Sequence, residues 1–200
     1  MKILVRGSGD VASAVAHRLF ELGYAVLIHE VAQPTYIRRG MAFTDAVFNG
    51  KAGLQGVWAK CPHTPEELQH MLACGRAIPV CTFKLDEALQ LMHPDVLIDA
   101  RMRKRSVPDG QLGLAPLTIG LGPNFTAGIN VDVAIETAWG ESLGQILHEG
   151  ATQPLEGEPR EIEGLGRERC VYATEQGVLM TELAIGEWVE AGEAVATLNG

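Results

Sequence analysis

Gly7-Ser8-Gly9-Asp10-Val11-Ala12 places two glycines and a small residue at the spacing that a phosphate-binding turn requires. The first glycine permits a tight turn, the second lets the backbone approach a pyrophosphate, and the small Ala12 lets a helix pack closely on the strand before it. A helix opening near Asp10 aims its unpaired N–H groups at the same place. Glu30 stands 21 residues after Gly9 at the end of the next apolar run, where a carboxylate accepts hydrogen bonds from a ribose diol. The chemistry implied is binding of NAD or a related nucleotide, with NAD(H) favoured because a carboxylate repels a 2′-phosphate. The other use of the same glycines is a plain turn between strand and helix. Asp10 beside the phosphates repels them unless it caps the helix.

A second cluster follows another apolar run. Asp99-Ala100-Arg101-Met102-Arg103-Lys104-Arg105 carries four cations in a chain of net charge −9. Ligands of parallel α/β sheets bind beyond the carboxyl ends of the strands, so Arg101 and Arg103 are candidates for a phosphate or another polyanionic group. The alternative is a solvated basic loop. Arg38 and Arg39, soon after Glu30, either add to that anionic site or lie on plain surface. In Gly120-Leu121-Gly122-Pro123-Asn124-Phe125-Thr126-Ala127-Gly128 the glycines allow close backbone approach, Asn124 and Thr126 offer hydrogen bonds, and Phe125 offers a stacking face. That loop serves equally as a tight connection. His17, His29 and Asp99 are candidate general bases that the sequence does not rank. The spacings of histidine and cysteine match no metal-binding pattern, so no protein-held metal is expected. No serine nucleophile elbow or Walker loop occurs either. Cys61, Cys74, Cys81 and Cys170 lack paired spacing and read as reduced, mostly buried thiols.

These residues need elements to hold them. Lys2 to Arg6 reads as a strand, Val11, Val15, Leu19 and Leu22 recur at helical spacing, and Tyr24 to Glu30 is a second strand. A strand-helix-strand unit of this length implies parallel strands joined by a right-handed crossover. Ile37 to Val47 is expected as a helix and Lys51 to Cys61 as extended chain. Thr64 is an N-cap candidate with Pro65 at the first helical position, for a helix running to Cys74. Strands follow at Ile78 to Phe83, Asp95 to Ala100 and Leu117 to Leu121, with a helix over Leu85 to Met92. The alternation predicts an α/β fold, a Rossmann-like doubly wound parallel sheet over residues 1–128. Residues 129–200 form a smaller all-β module: paired strands over Val131 to Thr137 and Leu143 to His148, a linker over 150–166, and short strands at Arg169 to Ala173, Gly177 to Leu183 and Ala194 to Leu198.

Charge and hydrophobicity narrow the partners. With 25 acidic against 16 basic residues the overall field repels nucleic acid and anionic lipid. No apolar run reaches the roughly 18 to 20 residues of a membrane-spanning helix, and Met1-Lys2-Ile3-Leu4-Val5 lacks the features of a signal peptide, so a cytoplasmic protein is expected. Residues 185–196 carry the Gly-x-x-Val-x-x-Gly turn of lipoyl- and biotinyl-like domains. Yet no lysine occurs after Lys104, which excludes a lipoate or biotin carrier.

Taken in order, the glycine turn with Asp10, Gln33-Pro34-Thr35-x-x-Arg38-Arg39, residues 41–47 (Met-Ala-Phe-Thr-Asp-Ala-Val), residues 95–102 (Asp-Val-Leu-Ile-Asp-Ala-Arg-Met), residues 115–128 and Ile135-Glu136-Thr137 resemble the YqeB-like family. That family is associated with selenium-dependent molybdenum hydroxylases and is similar to the XdhC-type xanthine dehydrogenase accessory proteins. The resemblance covers essentially the whole chain. It implies a Rossmann domain with a β-rich tail, a role in maturing a molybdenum hydroxylase or supplying its cofactor, and a nucleotide or molybdopterin-type ligand. It also implies a family chain continuing past residue 200, so the β module is expected to be incomplete. Whether the chain catalyses a reaction, as an NAD(P)-dependent oxidoreductase would, acts as an interaction scaffold, or forms a homo-oligomer stays open at this level.

Overall fold

Ile3, Leu4 and Val5 are all buried, because their strand runs down the middle of a parallel sheet that is covered on both faces. The computed structural model describes residues 1–35, 38–104, 106–155 and 161–199. Its elements up to Leu155 are β1 (Lys2–Arg6), α1 (Asp10–Glu21), β2 (Ala25–His29), α2 (Asp45–Asn49), β3 (Lys51–Leu54), β4 (Val57–Lys60), α3 (Pro65–Cys74), β5 (Ile78–Cys81), α4 (Leu85–Met92), β6 (Val96–Asp99), β7 (Leu117–Leu121), β8 (Thr126–Ala127), β9 (Val133–Ile135), β10 (Ile146–Leu147) and β11 (Gly150–Ala151).

The main sheet has nine strands in the order β10-β9-β7-β6-β1-β2-β5-β4-β3, parallel throughout except for the antiparallel outer pairs β9–β10 and β3–β4. The alternation of side chains along each strand builds two cores. Ile3, Val5, Val26, Ile28, Val96 and Ile98 face α1 and Phe43, whereas Leu4, Leu27 and Leu97 face Leu68 of α3 and Ala88 and Met92 of α4. The register makes this coherent, with Leu4 opposite both Leu27 and Leu97. A slip of one residue in β1 would turn each of these side chains to the wrong face.

The order of the strands fixes where a ligand crevice opens. From β1 the chain moves to β2, out to the edge strands β3 and β4, back in to β5 beside β2, and then crosses to the other side of β1 as β6. The switch point therefore lies between β1 and β6, and the crevice opens beyond their carboxyl ends. Gly7 follows one of these strands directly and Ala100-Arg101 the other.

Local chemistry explains the element ends. Thr64 Oγ1 accepts from the Glu67 N–H at 3.2 Å, Pro65 occupies the first turn, and Gly75 closes α3 in a left-handed conformation at φ 61°. The helix expected over Ile37 to Val47 is reduced to α2. Ile37 lies outside the described residues, Gly40 takes a positive φ of 72°, and Ala42 and Phe43 are buried in the core from a loop. Of the four thiols only Cys81 is buried; Cys61 and Cys170 are partly covered and Cys74 is exposed, so the expectation of mostly buried cysteines fails. Cys74 lies in the last turn of α3, a helix with only Leu68 fully buried.

The chain divides into two units, Met1–Leu155 and Glu156–Gly200. The division expected at 128 lies inside the first, because β9 extends the main sheet beside β7 and β11 pairs with β8. In the second unit β12 (Val178–Met180) pairs antiparallel with β13 (Thr197–Asn199). The strand expected over Arg169 to Ala173 does not form; a 3-10 turn covers Arg167–Arg169. Among the described residues no helix is long and apolar enough to cross a membrane.

Replacing Thr64 by Ala removes the acceptor that caps α3 and should lower stability by about 1 kcal/mol. A denaturant titration should show a lower midpoint with an unchanged slope.

Candidate functional site

The glycine turn is the first part of the site. Gly7 has φ +102°, and a Cβ there would come within 3.1 Å of Arg101 Cα, so both backbone conformation and close packing require glycine. Its N–H donates to the His29 carbonyl at 2.9 Å, which ties the turn to the end of β2. Gly9 has an ordinary φ of −64°, and a Cβ built on it meets nothing within 4 Å. Its open side faces away from the packed protein at the mouth of α1. Ala12 is fully buried, as close helix-strand packing demands.

Ser8, fully buried between these glycines, is where the turn is held. Its carbonyl accepts from Ser13 Oγ at 2.8 Å, from Thr44 Oγ1 at 2.7 Å and from Thr44 N–H at 3.1 Å. Its N–H and its hydroxyl both donate to Glu30 Oε2, each at 2.8 Å, while Val31 N–H donates to Glu30 Oε1. Glu30 thus stands beside the turn, where a ribose acceptor is expected, and also clamps it. Sequence reasoning missed Ser13 and Thr44; the signal was two hydroxyl residues among otherwise apolar core positions. Arg38 comes to the mouth of α1, its Nε 3.2 Å from Asp10 Oδ2, and offsets the acid beside the turn. Arg39 is partly buried nearby in sequence.

The basic run behaves differently from a free anion site. Asp99 ends β6 with its side chain only 2% exposed, and a carboxylate that deeply placed needs charge and hydrogen bonds to remain ionised. Arg101 grips it through Nε, at 3.0 and 3.1 Å from the two oxygens, and through a terminal nitrogen; Gln111 Nε2 adds a short bond, and Arg6 Nη1 lies 3.8 Å away. Asp109 bonds Arg101 at 3.0 Å, Arg103 at 3.1 Å and Arg6 at 3.2 Å. Three guanidiniums therefore share two carboxylates. Asp109 and Gln111 were missed because they stand eight and ten positions along the chain from Arg101, with no periodic pattern to link them. The buried Arg6 Nε and Gln111 Oε1 have no partner among the described residues. Arg105 lies outside the described residues; Lys104 is exposed.

Charge follows packing here. Burial tends to push the Asp109 carboxyl up, but the hydrogen bond and charge of Arg101, with the charges of Arg103 and Arg6, hold it below its ordinary value. Burial, then the neighbouring Arg101, lowers Arg6, and the opposing Asp99 and Asp109 only partly restore it. Of the candidate bases, Asp99 is saturated with donors. His17 Nδ1 lies 3.4 Å from Glu21 on its own helix. His29 Nε2 lies 2.9 Å from the Phe83 carbonyl, and burial lowers its pKa against the pull of that carbonyl. Burial also pushes the Cys81 thiol up to about 12, which leaves it unreactive.

In the second glycine loop the glycines serve side-chain packing. A Cβ on Gly120 would sit 2.3 Å from the Phe125 ring, and one on Gly122 would sit 2.8 Å from Met102 Sδ. Phe125 is itself buried, so its ring is a core element and its exposed stacking role is lost. Asn124 takes φ +69°, next to a backbone pinned by Thr152, whose hydroxyl receives the Phe125 N–H at 3.0 Å and whose N–H donates to the Phe125 carbonyl at 2.8 Å. The buried Glu136 fixes the following segment by accepting the N–H groups of Thr137, Ala138 and Gln153, each at 2.7 Å.

Comparison with known proteins adds one relative. Uncharacterized protein YqeB of Escherichia coli strain K12 is 35% identical over 197 residues, which cover 98% of this chain and 36% of YqeB. The chain is similar to that protein over nearly its own whole length. It spans about a third of the length of that relative. No family model matches the chain, and no solved structure matches it.

Two predictions test the charge network and His29. Replacing Arg101 by Gln leaves Asp99 buried with weaker compensation and should cost about 3 kcal/mol in a denaturant titration, whereas Arg103→Gln, on a half-exposed pair, should cost no more than about 1. His29, lowered from 6.5, stabilises the fold fully above about pH 6.5, and that contribution declines as the pH falls through the lower folded-state value, because the unfolded chain binds the proton first. An NMR titration should give an imidazole midpoint below that of a free histidine.

Proposed function

We propose that this chain is a cytoplasmic nucleotide-binding accessory protein that serves the maturation, or the cofactor supply, of a molybdenum hydroxylase such as xanthine dehydrogenase. The observation that carries the nucleotide part is the strand-turn-helix at the switch point: Gly7 is locked against Arg101, Ser8 is clamped from below, and Gly9 is open on the outer side. A pyrophosphate of NAD or a related nucleotide would lie over Gly9 on the N–H groups of α1, with Glu30 beside the ribose and Arg38 offsetting Asp10. The accessory role rests on the likeness to YqeB and on the association of YqeB-like chains with molybdenum hydroxylases. A molybdopterin-type ligand offers the same phosphate chemistry to this turn.

The assignment of cations changes within this reading. Arg101 and Arg103 are engaged by Asp99 and Asp109, so their part is to hold the crevice wall in place, and the phosphates are left to the backbone and the helix. The test is Gly9→Val. The side chain enters open space, so the thermal midpoint should stay at the parent value, while binding of NADH measured by calorimetry should be lost. Unchanged NADH affinity would reject the site. Mass spectrometry of small molecules released from protein purified under native conditions should show a nucleotide or pterin in the parent and not in the variant.

A further inference from the structure

Beyond the glycine turn, a second cleft opens past the carboxyl ends of β6 and β7. It has a volume of about 570 Å³ and is lined by Lys104, Ser106 and Val107 on one side and by Asn124, Thr126 and the 151–155 segment on the other. That volume falls in the range of small-molecule sites, roughly 300 to 1,000 Å³. It is far larger than a water pocket. A further cavity of about 290 Å³ lies at the opposite end of the sheet, by Lys2 and Ala25, and has a mostly apolar lining, with Gln69 beside Lys2 and nothing to name an occupant.

The lining of the second cleft is selective. In a chain of net charge −9, the described residues that line it include one cation and no carboxylate. Lys104 is exposed and has no ion pair among the described residues, in contrast to Arg101 and Arg103 three and one positions earlier in the same run, which Asp99 and Asp109 neutralise. Ser106, Thr126 and Asn124 add neutral donors. Asn124 and Thr126 are held in place before any ligand arrives: Asn124 sits at positive φ beside the pinned Phe125, and Thr126 N–H donates to Asn130 Oδ1 at 2.8 Å. Val107, which is 84% exposed, together with Pro154 and Leu155, supplies apolar surface at the same cleft.

We propose that this cleft binds an organic phosphate monoester, with the ammonium of Lys104 and the Ser106, Thr126 and Asn124 donors at the phosphate and the apolar residues against its organic part. A phosphate offers three oxygens to several neutral donors, and a single lysine serves it as a point charge without the planar fork that arginine brings to a carboxylate. The site is separate from the glycine turn and does not depend on nucleotide binding there. Two ligands could then lie side by side along the carboxyl edge of one sheet, a nucleotide at β1 and a phosphorylated small molecule at β6 and β7.

The test uses α-naphthyl phosphate, α-naphthoate and α-naphthol as probes on the whole chain, with binding followed by calorimetry. The phosphate should bind, and Lys104→Gln should weaken it about tenfold or more, the value of one charge-assisted bond, with a smaller dependence on salt. Thr126→Val should weaken it further, while Gly9→Val should leave it unchanged. Because Lys104 is exposed, its replacement should not alter the thermal midpoint. Equal binding by the Lys104→Gln variant, or α-naphthoate binding as tightly as the phosphate, would overturn the proposal. So would loss of phosphate binding in Gly9→Val, which would place the phosphate on the glycine turn. Loss of NADH binding in Gly9→Val with α-naphthyl phosphate binding intact would support both sites separately.

Discussion

A buried carboxylate organises this molecule. Asp99 ends a central parallel strand where little water reaches it, and its charge is stabilised by Arg101, Gln111 and Arg6. Because Arg101 must fold back over Asp99, its backbone is brought to within van der Waals reach of Gly7, the first residue of the glycine turn. The charge pair at the end of β6 thereby sets the position of the loop at the end of β1. Asp109 then extends the network outward to Arg103, at the edge of the crevice. A low-dielectric ion pair of this kind contributes less to net stability than to a single, well-defined arrangement of its neighbours.

The turn itself shows how a flexible sequence is made rigid. Three donors converge on the Ser8 carbonyl, and its N–H and hydroxyl reach Glu30, so a segment with glycine on both sides has almost no freedom left. The α2 region contributes to this through Thr44 and Phe43, although neither is near Ser8 in sequence. A pre-formed turn binds phosphate without first having to be ordered, which removes part of the entropic cost of association. Glu30 supports the turn from inside by accepting both the N–H and the hydroxyl of Ser8.

The second glycine loop obeys a different constraint. Its glycines make room for Phe125 and Met102, and with Thr152 they close the loop against the β8–β11 pair. This packing draws the 151–155 segment toward the loop that follows β6 and leaves a cleft between them. One sheet edge thus carries a backbone-lined turn and a side-chain-lined cleft, with a buried salt-bridge network beside the turn.

The sequence alone determined the local elements whose signals are short-range. The strand-turn-helix at Lys2 to Glu21, the Thr64-Pro65 start of α3, the limits of α4 and β7, and the doubly wound class all follow from periodicity, capping and glycine position, which act within a few residues. The tertiary structure decided what each charge does. A run of Arg101, Arg103 and Lys104 reads as a uniform basic patch, but burial of Asp99 and the return of Asp109 assign the two arginines to ion pairs and leave the lysine for the cleft. The extension of the main sheet past residue 128 depended likewise on the pairing of β9 with β7, a contact between separate segments. Pairings of this kind depend on the cost of desolvation at each site, which is set by the neighbours that the fold brings together and is invisible to any pattern along the chain.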